Sequence, residues 1–329
     1  MAAEENTQGL VQGQHLEAEV DEQDSAVSVP LTSSLTSLRT AILKHQEENG
    51  RTYHALASGK YVFPNDETET ERLFIEHYTW VLTFRGALAL SPKATGAKRV
   101  LDAGTGPGVW AIEYADRNPE SQVIGVDLSP VQPSVVPPNC SFEIDDLEKE
   151  WTWTQPFDFI FGRILAGSFS DFQDFFNKSF NALEPGGYLE MQDVFPPYQS
   201  DDGTLTPETK LGQLGRIFVE ASNALGRPIS IASQYKGFME KAGFVDIVEK
   251  KIKWPIGTWP KDKFYKELGH WNSQNLEVGL EGLVLALCTR ALGWSREQTL
   301  LFCSQVRQEI KSHRVHGYMP VYVVYGRKP

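Results

Sequence analysis

From Lys98 onward the sequence alternates short apolar runs with helical patterns, and this alternation constrains the fold more than any other feature of the chain. The apolar runs lie within the segments KRVLDAG, QVIGVDLS, SFEIDD, PFDFIFGRI, YLEMQDV, FVDIVEKKIKWPIG and YMPVYVVYGRKP. Strands that alternate with helices are typical of a parallel sheet with helices on both faces. We therefore predict an α/β fold with a seven-stranded, mostly parallel sheet.

Segments outside this pattern predict helices that cover the sheet. The stretch SLTSLRTAILKHQEENG predicts an amphipathic helix that ends at Gly50, and a loop follows it. A second helix is predicted to start at Asn65–Asp66, because acidic residues crowd its first turn. We divide this part of the chain into an N-terminal helical cap, the core, a helical cap insertion and the last strand of the core sheet: residues 37–97, 98–254, 255–316 and 317–329.

The first 36 residues contain seven acidic residues and no Lys or Arg. A segment this acidic and poor in aromatic residues cannot bury enough apolar surface to fold, so we predict a disordered acidic tail over 1–36. The tail is the candidate contact for protein partners. It carries most of the net charge of −12, and the rest of the chain has no basic stripe. Direct binding to nucleic acid is therefore disfavoured.

Composition excludes several other classes of protein. No apolar run reaches about 18 residues, so we expect no membrane-spanning helix. The first residues, MAAEENTQGL, lack the basic and apolar regions of a secretory signal. Three cysteines match neither a disulfide framework nor the spacing of a zinc site, so we expect no metal. We expect a cytoplasmic protein, with the nucleus as the alternative location.

The segment VLDAGTGPGVW places a Gly-rich turn between the first predicted core strand and a helix. Glycines let the backbone pass close to a ligand, and the N-terminus of the helix faces that ligand. A dinucleotide site would read G-x-G-x-x-G, whereas here the third glycine, Gly108, comes one residue early. This spacing argues against NAD and FAD, and no GK[ST] follows that would indicate a nucleoside triphosphate.

Acidic residues follow three consecutive predicted strands: Asp102, Asp127 and the pair Asp145–Asp146. A carboxylate after the second strand can accept hydrogen bonds from both ribose hydroxyls of a nucleoside. Carboxylates repel phosphates, so the pattern suits a ligand with a cationic amine-bearing end, a ribose and an adenine. S-adenosylmethionine has these features, and we predict it as the cofactor, with S-adenosylhomocysteine as its product.

The chain resembles the class I S-adenosylmethionine-dependent methyltransferases, and more narrowly the fungal LaeA-like group associated with secondary metabolism. The resemblance spans roughly residues 50–329. It is carried by the segments YVFPNDETETER, RVLDAGTGPGVWAIEYA, VIGVDLSPVQPSVVPPNCSFEIDDLEKEW, FDFIFGRIL, LEPGGYLEMQD, TWPKDKFYKELGHW and VVYGRKP. It implies a Rossmann-like core sheet with helical caps.

The resemblance also implies nine cofactor-binding positions: Asp102, Gly104, Thr105, Gly106, Asp127, Leu128, Asp146, Leu147 and Arg163. The first four, at the Gly-rich turn, would cradle the methionine end of the cofactor. The two after the next strand would contact the ribose and the adenine, and the following pair would bracket the adenine edge. The last would lie beside the transferred methyl group. The family turn usually reads GTGTG, and Pro107 replaces its second Thr here.

Catalytic residues are less defined, because methyl transfer requires mainly alignment and, for some acceptors, a base. Candidate bases are His54, Tyr61 and His77, although a histidine on a helical stripe is usually structural. Aromatic residues near the expected mouth of the site predict either a broad apolar pocket or packing of the cap: Phe195, Tyr198, Trp254, Trp259, Phe264, Tyr265 and Trp271.

These observations favour a methyltransferase that acts on a small-molecule natural product in a fungal secondary-metabolite pathway. The first alternative is a LaeA-like regulator in a nuclear protein complex. The second is a pericyclase-like enzyme that binds the cofactor without transferring its methyl group. Stable protein partners would indicate the regulator, and turnover without S-adenosylhomocysteine would indicate the pericyclase.

Overall fold

The computed structural model describes residues 45–54 and 62–329, and the first of these segments is a hairpin. Its strands are β1 (His45–Glu48) and β2 (Arg51–His54), which pair antiparallel. Asn49 and Gly50 form the turn with φ of 55° and 78°. The predicted helix up to Gly50 is therefore wrong at 45–48, and so is the loop at 51–54. The dipeptide Asn-Gly is a strong hairpin signal because both residues tolerate a positive φ.

Three predicted features fall on residues that the structure does not describe. The acidic tail over 1–36, the first part of the predicted helix and Tyr61 lie outside the described residues. They stay predictions, as do the domain boundaries given above.

The main sheet has seven strands, as the sequence predicts. They are β3 (Arg99–Ala103), β4 (Gln122–Asp127), β5 (Cys140–Ile144), β6 (Phe157–Arg163), β7 (Leu183–Val194), β8 (Val245–Pro255) and β9 (Tyr318–Arg327). Their order is β5-β4-β3-β6-β7-β9-β8, with parallel pairing from β5 to β7. Only β9 runs antiparallel to its neighbours, β7 and β8. The prediction of a mostly parallel sheet is confirmed.

Seven α-helices belong to the described residues. They are α1 (Glu67–Thr83), α2 (Val109–Arg117), α3 (Phe172–Ala182), α4 (Lys210–Ala224), α5 (Tyr235–Ala242), α6 (Lys263–Ala286) and α7 (Arg296–Ser312). Five start at a residue whose side chain accepts a backbone N–H of the first turn: Asp66, Asp171, Thr209, Asp262 and Ser295. A five-residue π-helix, Leu287–Ala291, follows α6.

Alternate residues of the strands bury opposite faces of the sheet, as the two-residue period of a strand requires. On one face, Trp110 of α2 stacks on Phe161 of β6 with 3.8 Å between ring centroids. On the other face, Leu101 and Ile160 join a larger core that includes residues of α3 to α7. Helices thus cover both faces, and the carboxyl ends of β3 to β6 stay open at one edge.

Helices α1 and α6 contact each other above that edge. None of the helices within residues 45–54 and 62–329 combines the length and apolar character that a bilayer crossing requires. The same residues contain no group of His, Cys, Asp and Glu side chains arranged to hold a metal ion.

Candidate functional site

The Gly-rich turn between β3 and α2 depends on glycine at each of its three positions. Gly104, Gly106 and Gly108 have φ of 69°, 54° and 80°, a region that residues with a side chain rarely adopt. A Cβ on Gly104 would lie 2.4 Å from Cδ2 of Leu165, and one on Gly108 would lie 2.3 Å from the ring of Phe142. The turn therefore exposes backbone, and the out-of-place third glycine makes room for the Phe142 ring.

Asp102 and Thr105 lie behind this turn and not in the wall of a cleft. The Thr105 hydroxyl donates to Oδ2 of Asp102 at 2.6 Å, and the Thr105 amide donates to the carbonyl of Val126 at 2.9 Å. Asp102 is buried, and burial raises its pKa to about 7. Both side chains fix the turn, and their predicted contacts with the cofactor stay predictions.

A cleft opens in front of the turn, with an empty volume of about 1010 Å³ that includes its mouth. We call it the glycine cleft. It contains seven of the nine predicted positions: Gly104, Gly106, Asp127, Leu128, Asp146, Leu147 and Arg163. Its other walls come from the start of α1, the loops after β4 and β5, and the loop after β6: Pro64, Asn65, Glu69, Thr70, Leu73, Val126, Ser129, Val131, Asp145, Glu148, Ile164, Leu165, Ser168 and Phe169.

Asp127, at the end of β4, is held by two backbone amides. Its Oδ2 accepts from the Gly106 amide at 2.8 Å, and its Oδ1 accepts from the Ser129 amide at 2.9 Å. Gln132 fastens the same two residues by donating to their carbonyl oxygens. A carboxylate oxygen can accept more than one hydrogen bond, so the fixed carboxylate can still bind ligand hydroxyls.

The segment after β5 places three further carboxylates at the glycine cleft, those of Asp145, Asp146 and Glu148. Asp146 is 4% exposed, and its Oδ1 accepts from the Glu148 amide at 3.1 Å. Glu148 binds Arg227 through both of its oxygens, at 2.9 and 3.1 Å. The sequence singled out Asp146 but not Glu148, whose partner lies 79 positions along the chain.

Arg163 lines the glycine cleft, yet its guanidinium is bonded elsewhere in the protein. Its Nε donates to Oε1 of Gln192 at 2.8 Å, its Nη1 faces Nδ1 of His77 at 3.1 Å, and its Nη2 donates to the Leu88 carbonyl at 3.2 Å. Burial lowers the pKa of Arg163 to about 10, so the group stays charged near neutral pH. Arg163 therefore joins β6 to β7 and to α1.

His77 has both ring nitrogens engaged. Nε2 lies 2.5 Å from Oε2 of Glu113, and Nδ1 faces Arg163. Burial and the charge of Arg163 lower the pKa of His77 to about 4, so the neutral ring donates to Glu113 and accepts from Arg163. His77 lines neither cavity, which argues against its prediction as a base. His54 lies in β2 and its side chain is not described, so its prediction as a base stays untested.

A second cavity adjoins the glycine cleft, with an empty volume of about 780 Å³. We call it the apolar cavity. It is lined by Phe63, Arg72, Glu76, Ile164, Ala166, Val194, Pro196, Tyr198, Phe218, Ile229, Trp254, Ile256, Asn272, Asn275, Leu276, Leu283 and Met319. Ile164 belongs to both cavities. Of the seven aromatic residues predicted near the mouth, only Tyr198 and Trp254 line it.

Comparison with known proteins decides the family. Residues 75–249 match the model of the methyltransferase-domain family. The chain belongs to this methyltransferase family. Methyltransferase pytC of Aspergillus terreus is 35% identical over 305 residues, which cover 92% of this chain and 94% of that protein. The probable methyltransferase tdiE of Emericella nidulans is 38% identical over 268 residues, 80% of this chain and 83% of that protein.

A third relative is the secondary metabolism regulator LAE1 of Cochliobolus heterostrophus. It is 33% identical over 289 residues, which cover 86% of this chain and 94% of that protein. The resemblance inferred from the sequence is therefore confirmed. The chain is an S-adenosylmethionine-dependent methyltransferase of a family that includes proteins of fungal secondary metabolism.

The glycine cleft of this methyltransferase fits S-adenosylmethionine by two observations. Gly104 and Gly106 leave bare backbone at the wall, where a Cβ on Gly104 would meet Leu165. The carboxylates of Asp127 and Asp146 offer acceptors for hydroxyl and amine groups and would repel a phosphate. Three more carboxylates line the same cleft, those of Glu69, Asp145 and Glu148, and this suits a cationic ligand.

Ile164, which lies in the wall between the two cavities of the methyltransferase, has a strained backbone. Ile164 has a φ of 51°, which is rare for a β-branched side chain. Its amide donates to the Gln192 carbonyl at 2.9 Å, and the next two amides both donate to Oδ2 of Asp193 at 2.8 Å. The Tyr235 hydroxyl donates to the same oxygen at 2.8 Å. Such strain persists only where the surroundings over-determine it, and it marks functional sites.

A buried ion cluster on α1 also lies between the two cavities of the methyltransferase. Arg72 bonds Oε1 of Glu69 at 2.7 Å and Oε2 of Glu76 at 2.6 Å, and it donates to Oδ1 of Asn275 on α6 at 3.0 Å. Glu69 lines the glycine cleft, whereas Arg72 and Glu76 line the apolar cavity. Burial raises the pKa of Glu69 although Arg72 opposes the shift. The sequence analysis assigned these residues no role, although the segment YVFPNDETETER carried part of the resemblance.

Proposed function

We propose that the chain transfers a methyl group from S-adenosylmethionine, bound in the glycine cleft, to an apolar small molecule bound in the apolar cavity. The acceptor is a natural product of fungal secondary metabolism. The observation that supports this most is that the two cavities adjoin at Ile164. One has the chemistry expected for the cofactor, and the other is mainly apolar.

Three groups in the glycine cleft bind the cofactor in this proposal. Asp127 accepts from the ribose hydroxyls with Leu128 beside the adenine, and Asp146 with Leu147 brackets the adenine edge. The bare backbone at Gly104 and Gly106 receives the methionine end. Asp102 and Thr105 act indirectly, because they fix the turn.

The lining of the apolar cavity supports an apolar acceptor. Twelve of its seventeen lining residues are apolar, with Trp254 counted among them and Tyr198 not. This lining favours burial of an apolar molecule by the hydrophobic effect.

The protein's own contribution is alignment and exclusion of water. The bound cofactor supplies an already activated methyl group, so orientation supplies much of the rate enhancement. Ile164 is held by Gln192 and by the Asp193 carboxylate behind the next two residues, which fixes the boundary across which the methyl group passes. Helix α1 lines both cavities and helix α6 lines the apolar cavity, and both helices limit the access of water there.

A regulatory role is the second candidate, because the relative LAE1 carries the name of a secondary metabolism regulator. In this alternative the chain acts in a nuclear protein complex, the acidic tail over 1–36 holds the partner, and methyl transfer is secondary or absent. The first candidate requires a labelled small molecule and the second does not, so one labelling experiment separates them.

The test incubates the full chain with S-adenosylmethionine tritiated in the methyl group and a fungal extract. We expect the label in the solvent-extractable fraction, and label confined to precipitated protein would favour the regulator. The variant Ala166→Leu places bulk in the apolar cavity but not in the glycine cleft. It should reduce labelling at least tenfold while S-adenosylhomocysteine affinity by calorimetry changes less than about threefold.

Asp127→Ala is the matched variant in the glycine cleft. It should weaken S-adenosylhomocysteine binding by about 1–3 kcal/mol, the usual cost of losing a charge-assisted hydrogen bond. Asp174→Ala, at a half-exposed carboxylate on α3 that pairs with Lys178, is the control and should leave binding unchanged. Unchanged affinity in Asp127→Ala would refute the ribose assignment.

A further inference from the structure

Tyr198 is a largely buried residue whose side chain lines the apolar cavity. Tyr198 follows β7, lines this cavity and is only 6% exposed. Among the residues that the structure describes, none forms a hydrogen bond with the Tyr198 hydroxyl. Burial is the cause that raises the pKa of Tyr198, so the group keeps its proton and acts as a donor. A hydroxyl that faces an apolar cavity without a protein partner lacks the hydrogen bonds it would make in water, which points to a partner that comes from outside the chain.

Asn275 presents a second donor from the opposite element, helix α6. Its Oδ1 accepts from Nη1 of Arg72 at 3.0 Å, and this bond fixes which end of the amide is which. The Nδ2 group therefore carries two hydrogens on a side chain that lines the same cavity and is 8% exposed. Within residues 45–54 and 62–329, no acceptor bonds this group.

The other donors on the wall are not available to a ligand. Arg72 donates to Glu69, Glu76 and Asn275. Nδ2 of Asn272 donates to the carbonyls of Trp254 and Pro255, at 3.3 and 3.0 Å. Nε1 of Trp254 has no partner among the described residues, but this atom is fully buried and out of reach of a ligand. Tyr198 and Asn275 thus differ from the other donors of the wall, because their hydrogens remain for a ligand.

We propose that Tyr198 and Asn275 donate hydrogen bonds to oxygen of the methyl acceptor, which is therefore an apolar molecule with a carbonyl-type oxygen. This inference rests on the proposed function, because it assumes that the acceptor binds in the apolar cavity. Two donors select an oxygen with lone pairs, whereas a pure hydrocarbon would leave both donors unpaired in a dry cavity. Tyr198 is a binding residue in this scheme and needs no proton transfer.

The experiment uses two probes of nearly the same shape, 2-acetylnaphthalene and 2-isopropenylnaphthalene. They differ only in a carbonyl oxygen that replaces a methylene group. Equilibrium dialysis measures the dissociation constant of each probe with the full chain, in the presence of saturating S-adenosylhomocysteine. The preference for the ketone is the dissociation constant of 2-isopropenylnaphthalene divided by that of 2-acetylnaphthalene. This ratio removes differences between variants in their general affinity for apolar molecules.

We expect the preference for the ketone to fall about fivefold in Tyr198→Phe, within the range for loss of one neutral hydrogen bond. Tyr114→Phe is the matched control, because Tyr114 is a buried tyrosine of α2 that lines neither cavity. It should retain the wild-type preference. The melting temperature of Tyr198→Phe should not fall, because the removed hydroxyl has no bond to a described residue.

Each outcome decides one point. An unchanged ketone preference in Tyr198→Phe would overturn the donor assignment and leave the proposed methyl transfer intact. Equal preference losses in both Tyr→Phe variants would also overturn it, because the effect would then not be specific to the apolar cavity. Failure of both probes to bind the wild-type chain would overturn this inference together with the proposed acceptor site, while cofactor binding would remain testable by Asp127→Ala.

Discussion

The glycine cleft and the apolar cavity meet at Ile164 but are built in different ways. Most of the glycine cleft comes from one stretch, from Gly104 to Phe169, and backbone amides fix its key carboxylate, Asp127. The apolar cavity is built from side chains that range along the chain from Phe63 to Met319. In the proposed function, a local backbone arrangement therefore recognises the cofactor, whereas side chains brought together by the whole fold shape the acceptor site. The proposal then implies that substitutions can remodel the acceptor site without disturbing the cofactor site.

The largest expected effect concerns the ion cluster between these two regions. Arg72→Met leaves the carboxylates of Glu69 and Glu76 buried without their cation. We expect a loss of about 4 kcal/mol of unfolding free energy, measured by urea denaturation. Arg307→Met, which breaks a partly exposed pair with Glu281, is the control and should cost less than about 1 kcal/mol.

Further substitution of Glu69 and Glu76 by Gln in the Arg72→Met background should restore much of the lost stability. A loss in Arg72→Met no greater than in the control would mean that water reaches the cluster. The two cavities would then not be separated by a dry wall.

The next effect tests how strictly local geometry builds the glycine cleft. Gly108→Ala adds a Cβ at φ 80° and 2.3 Å from the Phe142 ring. We expect a loss of about 3 kcal/mol from strain and overpacking together, measured by urea denaturation. Gly186→Ala is the matched control, because Gly186 has φ 82° and nothing within 4 Å of the added Cβ. It should cost about 1 kcal/mol, from backbone strain alone. Equal losses would show that the Phe142 ring yields and that the contact does not define the turn.

The sequence predicted the fold where its signals are local. The apolar runs and the cap at Asp66 placed the sheet and the start of α1, because strand period and capping act over a few residues. The hairpin at Asn49–Gly50 was also local but was missed, because the surrounding residues fit a helical pattern. The carboxyl ends of parallel strands share one edge of the sheet. The sequence alone therefore predicted that Gly104, Asp127 and Asp146 lie near one another.

The rest of the site depends on contacts that no local pattern contains. Arg163 was expected beside the methyl group, but its guanidinium bonds His77, which lies 86 positions away. For the apolar cavity, the sequence left open whether the aromatic residues form a pocket or pack in the cap. The sequence could not decide, because the wall of the cavity combines segments from the whole fold. Tyr198 and Trp254 line this cavity. The sequence around these two residues does not distinguish them from the five predicted aromatic residues that lie outside the cavity.

The smallest expected effect compares the buried carboxylates behind the two regions. Burial raises the pKa of Asp102, under the Gly-rich turn, and of Asp193, behind Ile164, to about 7 in each case. A raised pKa means that the folded chain holds a proton that the unfolded chain releases near pH 4. Stability from this source is therefore present below about pH 4 and is lost as the pH rises to about 7.

Asp102→Asn removes this contribution and keeps an oxygen that can accept from Thr105. Between pH 5 and pH 8 the wild type should lose about 2 kcal/mol of unfolding free energy relative to the variant, by urea denaturation at both pH values. The wild type should lose a similar free energy of unfolding relative to Asp193→Asn over the same pH range. If the stability difference between wild type and variant did not change with pH for one of the two variants, water would reach the carboxylate in that region.

Strand β9 has a consequence for how the chain is made. Its residues, Tyr318–Arg327, lie between β7 and β8 in the sheet and pair with both. β8 is synthesised more than sixty residues before β9, the strand with which it pairs in the described sheet. Until β9 inserts between them, β7 and β8 each have an open edge, and such edges invite pairing with other chains. The folding chain is therefore exposed to wrong strand pairing until β9 is in place.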